Sequence, residues 1–173
     1  MYQKKFMFIL LVILVGVLFL LPLKSEAYVL NGQKVSNPKY ISYINTSTIV
    51  KEKMEGYMGY ASQWNYSSSP VKLVRVYGPY GVAISNSYSN KSNGTYATTY
   101  YQTKRSSSIV YYYDFKKATV AQKRETVVHE VGHAIGLSHT QAKYNASSVM
   151  RAKQFNGKAY PLSDDKKGIN AKY

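Results

Sequence analysis

The sequence VVHEVGHAIGLSHT, residues 127–140, contains all three histidines of a chain of 173 residues. They are His129, His133 and His139, and Glu130 directly follows the first of them. Histidines placed at random would not be expected to fall within eleven consecutive positions. The clustering therefore indicates a common role for the three side chains, with a histidine-rich amphipathic helix as the simpler alternative.

A helix is predicted for residues 120–135, which carry the first two histidines. Thr119 and Gln122 have the spacing of a capping box, in which two side chains satisfy backbone groups at the start of a helix. Apolar residues then recur at helical spacing and form a stripe that can be buried. The helix is expected to end at Gly136, because glycine readily adopts the left-handed conformation that other residues avoid.

The spacing of the histidines predicts a catalytic zinc site. His129 and His133 are four residues apart and lie on one face of the helix, where both imidazoles can bind one zinc ion. A sharp reversal at Gly136 can bring His139 to the same ion. Three neutral imidazoles leave the fourth position of a tetrahedral zinc open to water, as in catalytic sites. Glu130 points away from the ligand face and is predicted to act as general base on the zinc-bound water.

The residues HEVGHAIGLSH, 129–139, match the pattern H-E-x-x-H-x-x-G-x-x-H, and the chain resembles the metzincin metallopeptidases that carry it. Within that group it is most similar to the matrixins. YISYIN (40–45), WN (64–65) and VKLVRV (71–76) resemble the first strand, first helix end and second strand of matrixin catalytic domains, and PLSDDKKGINAKY (161–173) resembles their C-terminal helix. The resemblance implies an α+β, metzincin-like zincin fold with a twisted, mixed β-sheet of about five strands, an active-site helix and a C-terminal helix.

The same resemblance implies roles for residues outside the zinc pattern. Met150 corresponds to the methionine of the Met-turn, which packs beneath the zinc ligands without binding the metal. The segment after Met150 corresponds to the wall of the pocket for the residue that follows the scissile bond, although it lacks the proline that often follows this methionine in matrixins. Matrixins usually also bind structural zinc and calcium. Here one catalytic zinc ion is expected without a structural zinc, and any calcium site should be weak, because the chain has no further histidine, no cysteine and few carboxylates.

The remaining periodicities predict the other elements of the fold. The expected elements are a strand at 38–45, a helix over 47–66, strands at 71–77 and 82–85, a loop at 86–94, strands at 95–102 and 107–115, and a final helix that opens at Ser163. The segment TYATTYYQ, residues 95–102, is the best candidate for an edge strand. An extended peptide substrate would add to this edge by β-augmentation.

The N-terminal segment, residues 1–27, has the three-part pattern of a secretory signal peptide. Two lysines precede an apolar run from Phe6 to Leu21, and small residues follow at Ser25 and Ala27. Cleavage is predicted after Ala27, which would make residues 28–173 a secreted catalytic domain. The alternative is a membrane anchor formed by residues 6–23.

The charge of the predicted mature chain bears on its partners. Removing Lys4, Lys5, Lys24 and Glu26 from a chain with 23 basic and 8 acidic residues leaves a net formal charge of +13. Such a charge favours non-specific binding to anionic surfaces, but the basic residues are spread along the chain without a nucleic-acid-binding motif. The principal expected partner is a peptide or protein substrate in extended conformation. The alternative function is a non-catalytic, zinc-stabilised module that binds anionic cell-wall or membrane surfaces.

Overall fold

A computed structural model of the protein describes residues 27–78 and 81–173. The segment predicted to be a signal peptide or an anchor therefore lies outside the described residues, except for Ala27. Within the described ranges, no helix is both long enough and apolar enough to cross a membrane.

Five strands form one mixed sheet in the described part of the chain. They are β1 (Ile41–Asn45), β2 (Leu73–Arg75), β3 (Ile84–Tyr88), β4 (Ala97–Tyr101) and β5 (Ser107–Tyr111). The spatial order is β2-β1-β3-β5-β4, with β4 antiparallel to β5 and the other neighbouring pairs parallel. The predicted mixed sheet is confirmed, although β1 and β2 are shorter than the strands expected at 38–45 and 71–77.

Strand β4 lies at the edge of the sheet, as predicted for residues 95–102. Its one strand partner among the described residues is β5, with Ala97 opposite Tyr111 and Tyr101 opposite Ser107. The other side of β4 therefore has no strand against it in the described ranges. An edge of this kind presents backbone N–H and C=O groups that an added strand can pair with.

Helices accompany the sheet on the described part of the chain. They are α1 (Ser47–Lys51), α2 (Glu55–Met58), α3 (Tyr113–Lys117), α4 (Val120–Ala134) and α5 (Ser163–Lys172), with two short 3-10 helices at Gly59–Trp64 and Ala142–Ser147. α4 packs against β4 and β5. The core between them includes Ile109 of β5 and Val128 of α4, both fully buried.

Helix α4 agrees with its prediction to within one residue. The Gln122 N–H donates to the Thr119 hydroxyl at 3.3 Å, and the Thr119 N–H donates to the Gln122 side-chain oxygen at 2.9 Å. These two bonds are the predicted capping box. The helix ends at Ala134, and Gly136 then adopts a φ of +117°. The chain therefore reverses at the expected glycine and carries His139 back toward the helix.

The helix predicted over 47–66 is wrong as a continuous element. α1 ends in a turn where Lys53 adopts a φ of +55°. The Met54 N–H donates to the Ile49 carbonyl at 3.0 Å, and the Lys53 N–H donates to the Val50 carbonyl at 3.0 Å. This pair of bonds is the Schellman pattern that ends a helix. Most of the apolar residues are still buried, but their periodicity does not reveal the break at Lys53.

Strand β3 extends further than the strand predicted at 82–85. It includes the first three residues of the predicted loop at 86–94, and its burial alternates with Asn86 on the buried side. The Asn86 side-chain amide donates to the Ile44 carbonyl of β1 at 3.1 Å. Asparagine is depleted in strands, so the sequence favoured a loop, but this hydrogen bond satisfies its buried side chain.

The strand predicted at 107–115 ends at Tyr111, and its last three residues belong to α3. The Phe115 ring is fully buried. Its centroid lies 4.6 Å from the ring centroid of Tyr111 and 6.2 Å from that of Tyr57. An extended chain would carry Phe115 away from Tyr111, whereas a helical turn brings the two rings together. These aromatic contacts therefore decide against the longer strand.

Candidate active site

Three histidine side chains converge near the C-terminal end of α4. His129 and His133 stand one turn apart on the helix, and His139 follows the reversal at Gly136. Their ring centroids are 4.7–5.2 Å apart. One nitrogen from each ring lies within 4.8 Å of the other two. The structure therefore brings together the three residues whose spacing predicted a shared metal ion.

Two backbone carbonyls orient the helical histidines. His129 Nδ1 lies 2.8 Å from the Val149 carbonyl oxygen, and His133 Nδ1 lies 2.8 Å from the Leu137 carbonyl oxygen. A carbonyl oxygen can only accept, so each Nδ1 carries the hydrogen and each Nε2 keeps a lone pair. Hydrogen bonds of this kind fix the ring orientation of metal-binding histidines.

The surroundings keep these histidines neutral. Burial lowers the pKa of His129 and of His133 to about 4, from an ordinary value of 6.5. Burial also lowers the pKa of His139, the most exposed of the three. Neutral imidazole is the form that binds a metal ion. The site is therefore ready to accept a metal near neutral pH.

Glu130 lies beside the histidines, where β4 contacts the helix. It is 6 % exposed, and the Thr99 hydroxyl of β4 donates to its Oε2 at 2.6 Å. Burial raises the pKa of Glu130, and the nearby His133 and the Thr99 hydrogen bond oppose that rise. The carboxylate lines the same cavity as His129 and His139. It is thus held next to the place where a bound metal and substrate would meet.

Met150 packs against the histidine-bearing helix and is 2 % exposed. Its Sδ atom lies against Gly132, where an added Cβ would also come within 2.9 Å of Trp64 Cζ2. The Met150 N–H donates to the Ser148 hydroxyl at 2.9 Å, and its carbonyl accepts from the Thr140 N–H at 2.8 Å. Met150 is therefore held tightly against the helix that carries His129 and His133.

Asp165, at the start of α5, supports the site from outside the zinc pattern. Its buried carboxylate accepts from the Ser148 hydroxyl at 2.5 Å and from the Val149 N–H at 2.8 Å. It also accepts from the Leu162 N–H at 2.7 Å, which satisfies a backbone group at the helix start. Val149 in turn holds His129. The sequence placed Asp165 only within the final helix that opens at Ser163, so this contact was missed.

Asn31 supports the opposite side of the site. Its side-chain amide donates to the His133 carbonyl at 3.0 Å and to the Leu137 carbonyl at 2.8 Å. Its backbone N–H donates to the Gly136 carbonyl at 2.9 Å. Asn31 therefore holds the carbonyl that orients the His133 ring. No local pattern could reveal this role, because Asn31 precedes His133 by 102 residues.

A cavity of about 390 Å³ opens beside the histidines. Its lining consists of Glu125, Thr126, His129 and Glu130 from α4, Gly94–Ala97 at the start of β4, and His139, Val149 and Arg151–Phe155. The Tyr96 and Phe155 rings, which both line it, pack edge to face with their centroids 5.1 Å apart. The segment after Met150 thus forms a wall of this cavity.

The chain matches the profile of the matrixin family over residues 57–173, a range that includes the whole histidine cluster. The chain belongs to the matrixin family. Among solved structures, this matrixin is similar to myroilysin, with a TM-score of 0.57 and 16% sequence identity, covering 83% of this chain and 97% of the myroilysin chain. At that identity the likeness concerns the fold alone. No curated protein matches this matrixin in sequence.

Membership of the family makes this matrixin a zinc metalloendopeptidase that acts on peptide or protein substrates. The residues present fit the metal that the family implies. Two nitrogens bound to a tetrahedral zinc at about 2.0–2.1 Å lie about 3.3 Å apart. His129 Nε2 and His139 Nε2 are separated by 3.3 Å. Within the described ranges, the histidines are the one group of three or more potential ligand side chains close enough to share an ion.

Proposed function

We propose that this matrixin is a secreted zinc-dependent endopeptidase in which His129, His133 and His139 hold one catalytic zinc ion and Glu130 is the general base. The 3.3 Å separation of His129 Nε2 and His139 Nε2 carries the proposal. Two imidazole nitrogens at this separation have the spacing of ligands to one ion, and a buried carboxylate lies next to them. Met150 is proposed as the Met-turn residue that packs beneath them.

The chain's own residues bind the metal, hold the substrate and move the proton. When bound, zinc supplies a Lewis acid that polarises the scissile carbonyl and acidifies the attacking water. Glu130 accepts the proton of that water on its carboxylate and delivers it to the nitrogen of the leaving amine. The Thr99 hydroxyl, 2.6 Å from Oε2, keeps the carboxylate in position during both transfers.

The edge strand and the cavity support an extended peptide as the substrate. Backbone groups of the peptide would pair with the open side of β4, which binds main chain independently of sequence. The side chain after the scissile bond would enter the cavity of about 390 Å³ beside His129 and Glu130. Selection among substrates would therefore depend mainly on the cavity.

Secretion is part of the proposal and rests on the sequence pattern of residues 1–27. Cleavage after Ala27 would release a domain of residues 28–173 with a net formal charge of +13. That charge favours additional, non-specific contact with anionic surfaces. Intact mass and N-terminal sequencing of protein collected outside expressing cells should find Tyr28 as the first residue, and retention of residues 6–23 in membranes would contradict secretion.

The test of the mechanism is the Glu130→Gln variant of the zinc-loaded protein. We expect kcat/KM on an unstructured protein substrate to fall by about 10²–10⁴-fold, which is the range for a lost general base. Zinc content per chain should stay the same, because Glu130 is not one of the proposed ligands.

The matched control is Glu52→Gln, which also removes one carboxylate. Glu52 forms an ion pair with Lys116 at 2.5 Å and does not line the cavity. Its substitution should leave cleavage unchanged. Cleavage by Glu130→Gln at the wild-type rate would contradict the role of Glu130. A zinc-loaded wild type that cleaves no member of a broad peptide library but binds anionic cell-wall polymers would instead favour the non-catalytic module.

A further inference from the structure

Glu125 is a buried carboxylate in the cavity lining that the proposed chemistry does not use. It stands on α4 one turn before His129 and is 2 % exposed. Burying an ionised carboxylate is costly unless hydrogen bonds or opposite charges compensate. Glu125 has no ion pair with any described lysine or arginine. Its charge must therefore be compensated by hydrogen bonds.

Two successive backbone N–H groups provide those hydrogen bonds. The Asn156 N–H lies 3.0 Å from Oε1 and 3.2 Å from Oε2 of Glu125, and the Gly157 N–H donates to Oε2 at 2.8 Å. Gly157 adopts a φ of +74°, the left-handed conformation that favours glycine. Glu125 thus binds the backbone of a turn, and it does so from the same helix face that carries His129.

This turn ends the stretch Arg151–Gly157, which we name the wall segment because its first five residues line the cavity. The wall segment starts directly after the buried Met150, and Phe155 near its end packs edge to face on Tyr96. Between these attachments, residues 152–154 are exposed. The position of the wall therefore depends on its two ends, and Glu125 holds the C-terminal end.

We propose that Glu125 is a positioning residue that fixes the wall segment and thereby determines which side chain the cavity accepts after the scissile bond. The proposal rests on the endopeptidase function proposed above. Glu125 would not touch the reacting atoms, and its carboxylate acts through the Asn156 and Gly157 N–H groups. With both bonds in place, the wall segment keeps its position in the cavity lining and can contact a large side chain of the substrate.

The test uses the zinc-loaded mature protein and the variants Glu125→Ala and Glu125→Gln. Alanine removes both acceptors, and glutamine keeps the side-chain volume but offers one acceptor oxygen. Two peptides that differ only in having phenylalanine or alanine after the scissile bond are compared. We expect the wild type to prefer the phenylalanine peptide. In both variants, the ratio of kcat/KM for the phenylalanine peptide to kcat/KM for the alanine peptide should fall by on the order of tenfold. The loss should lie mainly in KM, because a loosened wall weakens substrate binding.

Hydrogen exchange of the wall segment gives a measurement that does not depend on cleavage. The amides of Asn156 and Gly157 should exchange on the order of tenfold faster in both variants, because local opening becomes easier once their acceptor is lost. Zinc content should remain that of the wild type. If the wild type cleaves neither of these peptides nor any member of a broad peptide library, the proposed function fails, and exchange alone still shows whether Glu125 holds the wall segment.

Glu52→Ala is the matched control, because it removes a carboxylate that forms a surface ion pair and has no contact with the wall segment. It should change neither the preference nor the exchange of these amides. The proposal is overturned if a folded Glu125 variant keeps the wild-type preference, or if the rates for both peptides fall by one common factor. Unchanged exchange at Asn156 and Gly157 would overturn it as well.

Discussion

The hydrogen bond between Thr99 and Glu130 connects the edge strand with the proposed base. The Thr99 hydroxyl lies 2.6 Å from Glu130 Oε2 and 3.1 Å from the Glu130 carbonyl oxygen. A hydroxyl has one hydrogen, and a carboxylate is the stronger acceptor, so the shorter contact is the charge-assisted bond. The strand proposed to bind substrate is thus also the strand that aligns the carboxylate.

We expect Thr99→Val to lower kcat/KM by about 10–100-fold, since a hydrogen bond to a charged group contributes about 1.5–3 kcal/mol. Valine keeps the branched shape of threonine, so zinc content and the unfolding midpoint should change little. Steady-state kinetics on one peptide, with zinc determined by mass spectrometry, measure both effects. Thr98→Val, on the neighbouring position of β4, is the control, and equal losses in the two variants would contradict a specific role for Thr99.

Individual residues differ in how far the sequence could predict them. His129, His133, Glu130 and Gly136 could be placed because their relation is local to one helix and its end. Asp165 could not, because its hydrogen bonds to the segment before Met150 depend on how α5 docks. The same holds for Asn31, whose partners lie far along the chain.

At the scale of elements, Gly132 determines how closely α4 approaches its neighbours. An added Cβ at this position would lie against Met150 Sδ and within 2.9 Å of Trp64 Cζ2. The Trp64 indole N–H donates to the Val128 carbonyl at 3.0 Å, so the ring cannot shift without losing this buried bond. The missing side chain allows the Met150 turn and the first 3-10 helix to pack directly on the active-site helix.

We expect Gly132→Ala to destabilise the protein by about 1–3 kcal/mol through overpacking, despite the higher helix propensity of alanine. Urea unfolding monitored by circular dichroism measures the change. Gly56→Ala in α2 is the matched control, because an added Cβ there meets no atom within 4 Å. The control should be neutral or stabilising by up to about 1 kcal/mol. Equal effects of the two substitutions would contradict the packing explanation.

Elements with strong local signals were predicted well, and elements decided by packing were not. α4 has a capping box and a terminating glycine, so both of its ends could be predicted to within a residue. The break in the helix predicted over 47–66 depends on Lys53 in a left-handed conformation, which few lysines adopt. The last residues of β3 can form a strand because the buried Asn86 side chain donates a hydrogen bond to a backbone carbonyl of β1.

At the scale of the whole molecule, the buried histidines make the stability of the metal-free protein depend on pH. Folding lowers the pKa of His129 and His133 to about 4 from 6.5 by burying them. Between these values the unfolded chain binds protons that the folded chain does not. The histidines therefore reduce stability as the pH falls from about 6.5 toward 4, by linkage. Burial raises the pKa of the Glu130 and Asp165 carboxyls, so these two groups instead reduce stability as the pH rises.

A comparison of metal-free wild type with His133→Asn isolates the histidine contribution. Between pH 7 and pH 5 the wild type should lose more of its free energy of unfolding than the variant, which has one buried imidazole fewer. Urea titrations with a chelator present measure both proteins under matched conditions. Equal pH dependence in the two proteins would show that burial does not depress the pKa of His133.

The sequence by itself determined the candidate ligands, the proposed base, the helix that carries them and the family, because these depend on spacing within a few turns of chain. It also predicted that the strand at residues 95–102 lies at the edge of the sheet, as β4 does. Only the tertiary structure decided which distant residues hold the site in place. Asn31, Asp165 and Glu125 act through backbone groups far along the chain, and such contacts exist only once sheet, helices and loops have packed together.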